Sequence, residues 1–464
     1  MTETTHPNPD IAEAVASRPA PGPRRPREIW TGRSEVWLSE ISSDPAEPMR
    51  NVAGGGLRTS SQMLNRVVDR DRRRRRARSV GVDAARGFAL IGMFAVHLLP
   101  AAHSDGSPTL VWQILAGNAA ALFAVLAGVS LAFGSGGERP VTGRPLHRSR
   151  VNVAVRGLLL IVLGFGLNRL NLAAFDILPY FGIMFLLAIP FLPLRARTLL
   201  VTGTVLVVTM PVTRYLLHQQ VEGLHRHPAA TFDTALTDPL GVTATLLVTG
   251  TYPVLTWFAL VCLGMGIGRL QLHFTTPRML IIVIGAFAVL IATAVTKLLV
   301  NRFDGYASVQ RSLPGSGPDA VDDFIVFGPT GPLPTAAPGW LLVGGPHTNT
   351  SFALIIGAGF SLVTIGLLIL LARGSNLLRP LVDMGRMPMT LYTTHLLIIT
   401  VAPDDVGEVR LFFIQSLAAF GFACLWRMFF KRGPLEAVMT AIARSAAKML
   451  GLSSAAGPSV TRSS

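Results

Sequence analysis

The sequence predicts an all-α membrane protein, a polytopic bundle of about ten transmembrane helices with both termini in the cytoplasm. Three observations predict it. Half of the 464 residues are hydrophobic and 14% are charged, with a mean hydropathy of +0.48, too apolar for an ordinary soluble domain. Apolar runs of about 20 residues, the length that crosses a bilayer, recur along the chain. The arginines behind the net charge of +15 gather in one tail and in short loops between those runs, the positive-inside pattern. That distribution argues against nucleic acid as a partner. It points to the plasma membrane, in multi-pass form, with anionic lipid beside the basic loops.

Residues 1 to about 78 are rich in Pro, Gly, Ser and Arg and lack periodicity, which predicts a disordered cytoplasmic tail. Its polar, proline-rich start predicts no cleavable signal peptide. Arg70, Arg72, Arg73, Arg74, Arg75, Arg76 and Arg78 form a basic run that holds the N-terminus inside. The spans follow at about 84–104, 110–133, 151–169, 178–194, 197–217, 245–268, 277–299, 349–372, 380–402 and 409–429. The fourth is short and contains Pro190. Acidic residues gather in the alternate loops, including Asp233, Asp238, Asp304, Asp322 and Asp404, which sets those loops outside. Two outer loops, 218–244 and 300–348, exceed what chain connection needs and are either binding loops or disordered. His225 and His227 in the first are half of a metal site at most; without a third ligand no metal is expected. Residues from Lys431 to about Lys448 form an amphipathic helix on the inner membrane surface. Cys262 and Cys424 fall in apolar runs and read as small buried residues. Gly264, Gly266 and Gly268 suit close helix packing, and no strand-turn-helix unit supports a nucleotide fold.

The first span carries the chemistry. It opens Asp83-Ala-Ala-Arg86-Gly and holds His97 eleven residues after the arginine. A helix turns about 100° and rises about 1.5 Å per residue, so Arg86 and His97 share a face about 16 Å apart, with Leu90 and Met93 between them. Ionisable groups inside a span are expensive and are functional candidates by default. The two are expected to face one passage through the bilayer. Asp83, three residues before Arg86, orients it or pairs with it at the interface.

Arginine, ten residues and then histidine on a first span resembles the signature of transmembrane acyltransferases. The run Val82-Asp83-Ala84-Ala85-Arg86-Gly87-Phe88-Ala89-Leu90-Ile91 is most similar to the heparan-alpha-glucosaminide N-acetyltransferase catalytic-domain family and its bacterial YeiB-like relatives. In the heparan enzyme the position matching His97 is an amide, and the active histidine follows in the next loop. Here the nearest loop histidine, His103, stands at a different spacing, so Arg86 and His97 are carried over by the acyltransferase signature alone. Gly385-Arg386-Met-Pro388-Met389-Thr390-Leu-Tyr392 resembles a Gly-Arg-x-x-Leu-Thr-x-Tyr element of the YeiB-like proteins, with Met389 where Leu is usual. Gly433-Pro434-Leu435-Glu436 resembles their closing motif.

The resemblance implies a transmembrane acyltransferase-like domain over residues 79–430, between the tail and a C-terminal segment at 431–464. It implies acyl transfer from cytoplasmic acyl-CoA, acetyl-CoA above all, to an envelope carbohydrate or glycolipid outside. In that reading Arg86 holds donor phosphate, with Arg386 as a second phosphate residue and Asp83 beside them. His97 acts as base or acyl carrier, and Tyr392 with His395 forms a polar pair lining the acceptor side. The pantetheine arm spans on the order of 15–20 Å, close to the Arg86–His97 rise. Asp176 and His347 are interfacial caps or else acceptor-binding or base-orienting groups. On a regular helix Arg386 and His395 lie about 180° apart, and share a face only if Pro388 distorts the helix. An oligomer is compatible with the sequence. The alternatives are a transporter or lipid exporter, which uses buried polar groups and broken helices equally well, and a non-catalytic membrane scaffold built around the tail.

Overall fold

The computed structural model describes residues 79–452 except 222, 225, 226, 332, 335 and 373–375. The N-terminal tail, its basic run and His225 lie outside the described residues. Among those described there is no β-strand; one isolated bridge, Ala102 to Pro108, closes the loop after the first helix.

Each expected apolar run is helical. Among the described residues seven helices are long and apolar enough to cross a membrane: α1 (Ser79–Leu98), α2–α3 (Leu110–Gly134), α4 (Gly143–Asn168), α6 (Ala196–Gln220), α10 (Thr275–Asn301), α13 (Ser351–Leu371) and α16 (Glu408–Phe429). The fourth run forms the shorter α5 (Leu178–Ala188), continued by a 3-10 turn to Phe191. The sixth is a bent pair. Phe232–Thr237 (α7) leads to Pro239–Ala244 (α8), a π-turn follows at Thr245–Thr249, and α9 (Val254–Gly268) leaves at 52°. Pro253, with no N–H to donate, stands at the break. The freed carbonyl of Val248 accepts from Arg214 Nε at 2.6 Å, which satisfies a group that lipid would leave bare. The chain is a polytopic helical bundle.

α9 and α3 (Asn118–Gly134) form its centre. Thirteen of the fifteen α9 residues are buried, and eleven α3 residues are buried, mostly Ala, Val and Leu. Without water to drive association, helices in lipid pack by close backbone approach at small residues. A Cβ on Gly264 would strike the Val125 carbonyl, and one on Gly128 the Val261 carbonyl. The glycine run therefore serves packing. α10 and α16 lie at the rim, with Phe287, Leu290, Phe413 and Leu417 exposed to lipid.

The ninth run is broken. α14 (Arg379–Gly385) ends, Met387 is non-helical, and α15 (Pro388–Val401) begins afresh with proline at its first position. The free N–H groups of Met389 and Thr390 donate to Glu436 Oε1 at 2.8 and 3.1 Å, and the Thr390 hydroxyl donates to Glu436 Oε2 at 2.6 Å. Glu436 belongs to α17 (Pro434–Met449). Its carboxylate caps another helix, where the positive end of the dipole favours it. The C-terminal helix is thus docked on the bundle through its first turn. The loop expected at 300–348 is also folded. Gly305–Ser312 (α11) and Pro318–Phe327 (α12) bury Val309, Val321, Phe324, Trp340 and Val343 around Tyr215 in a separate small core.

Replacing Gly264 with valine is expected to destabilise the bundle by about 1–3 kcal/mol through overpacking. Glu436→Ala should cost about 1–2 kcal/mol through the lost cap. Melting temperatures of the purified variants in one detergent check both.

Candidate functional site

Two cavities flank α1, one at each end. At the end where α1 starts, Asp83 sits between two guanidiniums. Its Oδ1 accepts from Arg86 Nη1 at 2.5 Å and its Oδ2 from Arg386 Nε at 3.1 Å. Arg86 Nη2 donates to the Ser130 hydroxyl of α3 at 2.7 Å. The close approach has a local cause: a Cβ on Gly385 would strike the Asp83 carbonyl, and one on Gly87 the Leu381 carbonyl, so α1 crosses α14 at glycines. Asp383 faces Arg386 Nη1 at 3.7 Å and Arg427 Nε at 3.5 Å.

These groups line a cavity of about 520 Å³. Its walls carry six cations, Arg86, Arg156, Arg386, Arg427, Lys431 and Arg432, against two acids, Asp83 and Glu436. The excess is positive. Arg156, Lys431 and Arg432 have no acidic partner among the described residues. The pocket suits a polyanion, whose phosphates guanidinium groups bind in bidentate fashion. Toward mid-bundle it is lined by apolar side chains, among them Met93, Phe123, Leu160 and Phe181.

At the other end His97 faces a second cavity, of about 1000 Å³. Trp112, Tyr252, Phe327, His227, Asp323 and His347 are among its walls. His97 Nδ1 is 2.8 Å from His395 Nε2, and His395 Nδ1 is 2.9 Å from Gln415 Oε1 of α16. The ring of Phe94 stacks on His395 with centroids 4.2 Å apart. His227 Nε2 meets Asp238 Oδ2 at 2.9 Å.

Several sequence expectations need correction. Arg86 and His97 do lie on one face of α1, but they line two cavities and not one passage. Met93, Ile177 and Tyr392 line the deep end of the Arg86 cavity, and His97 lies beyond them. Tyr392 therefore does not line the His97 side. It is one turn nearer the Arg86 end of α15, and its hydroxyl accepts from the Ile177 N–H at 3.3 Å. His395 is fully buried behind His97 and touches neither cavity. Arg386 does join Arg86 at the Asp83 carboxylate, because the break before Pro388 frees it from the register of α15. Asp83 lines the cavity but is occupied as the bridge between two arginines. His347 lines the His97 cavity, in a loop with positive φ. Asp176 does not, and faces a separate space of about 350 Å³. His103 is exposed in its loop.

Sequence reasoning missed Ser130, Arg156, Lys431, Arg432 and Gln415. Lys431 and Arg432 follow an apolar run, where the positive-inside rule alone accounts for them. Gln415 carried a usable signal, an amide in the middle of an apolar helix.

Fold and site together define an integral membrane protein with a cation-lined pocket at one end and a histidine cavity at the other. Residues 78–299 match the model of the family described as heparan-alpha-glucosaminide N-acetyltransferase, catalytic. Residues 342–445 match a family described as a protein of unknown function, DUF418. Over residues 78–299 the chain is therefore similar to that catalytic domain, and over residues 342–445 to the second family. No curated protein matches the chain.

One group outside the spans has a pH signature. Burial pushes the Asp176 carboxyl up from 3.8 to about 7, against one bond from the Leu178 N–H. The unfolded chain releases that proton first, so folding stability falls as pH rises between about 4 and 7 and levels off above. Asp176→Asn should match wild type in melting temperature near about pH 4 and exceed it near about pH 8.

Proposed function

We propose that this protein is an acyltransferase that moves an acyl group, acetyl by preference, from acyl-CoA to a carbohydrate or glycolipid acceptor on the opposite side of the plasma membrane. The observation that carries the reading is the pairing along one helix face: an arginine in a cationic pocket, and a histidine three turns on in an aromatic and polar cavity.

Coenzyme A would place its phosphates among Arg86, Arg386, Arg156, Lys431 and Arg432, with the basic loops marking that end as cytoplasmic. The apolar stretch past Phe181 and Phe123 accepts the pantetheine arm. The thioester reaches His97 when the Met93 side chain, unbranched and flexible, swings aside. An acceptor hydroxyl or amine in the far cavity then gives its proton to His97. Its oxygen or nitrogen bonds to the carbonyl carbon, the C–S bond breaks, and the proton goes to the departing thiolate. Trp112, Tyr252 and Phe327 offer ring faces to a sugar, with Asp323 and His347 for its hydroxyls. The product is the acylated acceptor and free coenzyme A.

The test uses purified full-length protein in detergent with radiolabelled acetyl-CoA and a glycolipid extract of the envelope. Arg86→Ala is expected to weaken coenzyme A binding about tenfold or more, the effect of losing a charge-assisted pair. His97→Ala should leave binding within twofold and lower turnover by roughly a hundredfold or more. An intact protein with no affinity for any acyl-CoA would favour an exporter.

A further inference from the structure

The hydrogen-bond chain behind His97 has a direction, and one residue sets it. Gln415 sits in α16, a helix of 22 residues in which Gln415 and Ala423 are the buried ones. A buried amide in a span is unfavourable unless both of its ends are bonded. Both are. Gln415 Nε2 lies 3.4 Å from the His395 backbone carbonyl, which can only accept. The amide nitrogen therefore faces that carbonyl, and Oε1 faces His395 Nδ1 at 2.9 Å. An amide oxygen only accepts, so His395 carries its proton on Nδ1. Its Nε2 is then the acceptor, and His97 Nδ1, 2.8 Å away, must donate. The ring centroids are 5.1 Å apart and the rings 7° from parallel, an arrangement compatible with an in-plane bond. His97 is left with a bare Nε2, which bonds no protein group among the described residues.

We infer that Gln415 is a positioning residue: acting through His395, it holds His97 in the tautomer whose Nε2 lone pair is free to receive a proton. The inference rests on the acyl-transfer reading for what that lone pair does. When an acceptor O–H proton arrives at Nε2, His97 becomes an imidazolium that still donates through Nδ1 to His395. The chain ends at Gln415, whose oxygen cannot take a proton under these conditions. The proton therefore stays on His97 until the coenzyme A thiolate takes it. Phe94, stacked on His395, keeps water from competing for that ring. Without the Gln415 acceptor the opposite order is available: His395 donates from Nε2 to His97 Nδ1, and His97 then presents an N–H to the cavity.

The test labels the full-length protein with 15N-histidine and reads ring-nitrogen shifts, with His97→Asn assigning the His97 signals. Wild type is expected to show Nδ1 protonated and Nε2 bare at neutral pH. Gln415→Leu should bring in the Nε2–H form and lower kcat about tenfold or more with the KM for acyl-CoA within twofold. Gln415→Glu keeps an acceptor at that place and should recover most of both losses, whereas Gln415→Met, which keeps the bulk and length without the amide oxygen, should not; recovery in Gln415→Met would reduce the residue to a packing role. A proton on Nε2 of His97 in wild type overturns the inference, and so does an unchanged tautomer in Gln415→Leu. The wild-type spectrum decides even if Gln415→Leu does not fold. The tautomer is read without substrate, so a protein with the expected shifts and no transferase activity would sink the acyl-transfer reading and leave the relay standing.

Discussion

Asp83 bonded to both Arg86 and Arg386 is the contact on which the arrangement depends. A carboxylate in a membrane helix is costly unless its charge is answered, and here two cations answer it. The same contact joins α1 to the broken segment α14–α15. Eleven residues further along α1 a second contact joins them, His97 to His395. Two helices held together at two levels fix the depth and the facing of both cavities. The glycines at 87 and 385 permit the approach, since a side chain on either would collide with backbone.

The break at Arg386–Met387 follows from the same requirement. A continuous helix through Pro388 would turn Arg386 and His395 to opposite sides. Stopping at Gly385 and restarting at Pro388 lets one segment supply a cation to the first cavity and an imidazole behind the second. Restarting leaves bare N–H groups, and the Glu436 carboxylate takes up two of them. The docked α17 also brings Met439 and Thr440 to the cavity wall, with Lys431 and Arg432 just before it. The two short motifs that resembled YeiB-like proteins are thus in contact: the carboxylate of the second caps the helix of the first.

Much of this was legible in the sequence because membrane folding obeys few rules. Runs such as 277–299 and 349–372 are long and uninterrupted, and their helices fall within a few residues of expectation. Arg86 and His97 could be placed on one face because α1 is regular from Ser79 to Leu98. What failed depends on contacts between helices. Tyr392 and His395 are three residues apart, yet one lines the first cavity and the other is sealed behind His97. The side of Met93 and Ile177 on which each falls is set by packing, which periodicity does not carry. Arg427 to Arg432 obey the charge rule for topology, so their second role in a pocket left no separate mark. Gln415 was visible as an anomaly, but its partner lies in another helix.

The central claim is that the two cavities serve one reaction along α1, with the Met93 layer yielding to the donor. A structure of the protein bound to a non-hydrolysable thioether analogue of acetyl-CoA tests it most directly. The account predicts phosphates among Arg86, Arg386 and Arg432, and the acetyl carbonyl past Met93, within about 4 Å of a nucleophile position beside His97. An analogue bound elsewhere, or one whose acyl end stops below a closed layer of Met93, Ile177 and Tyr392, would contradict it.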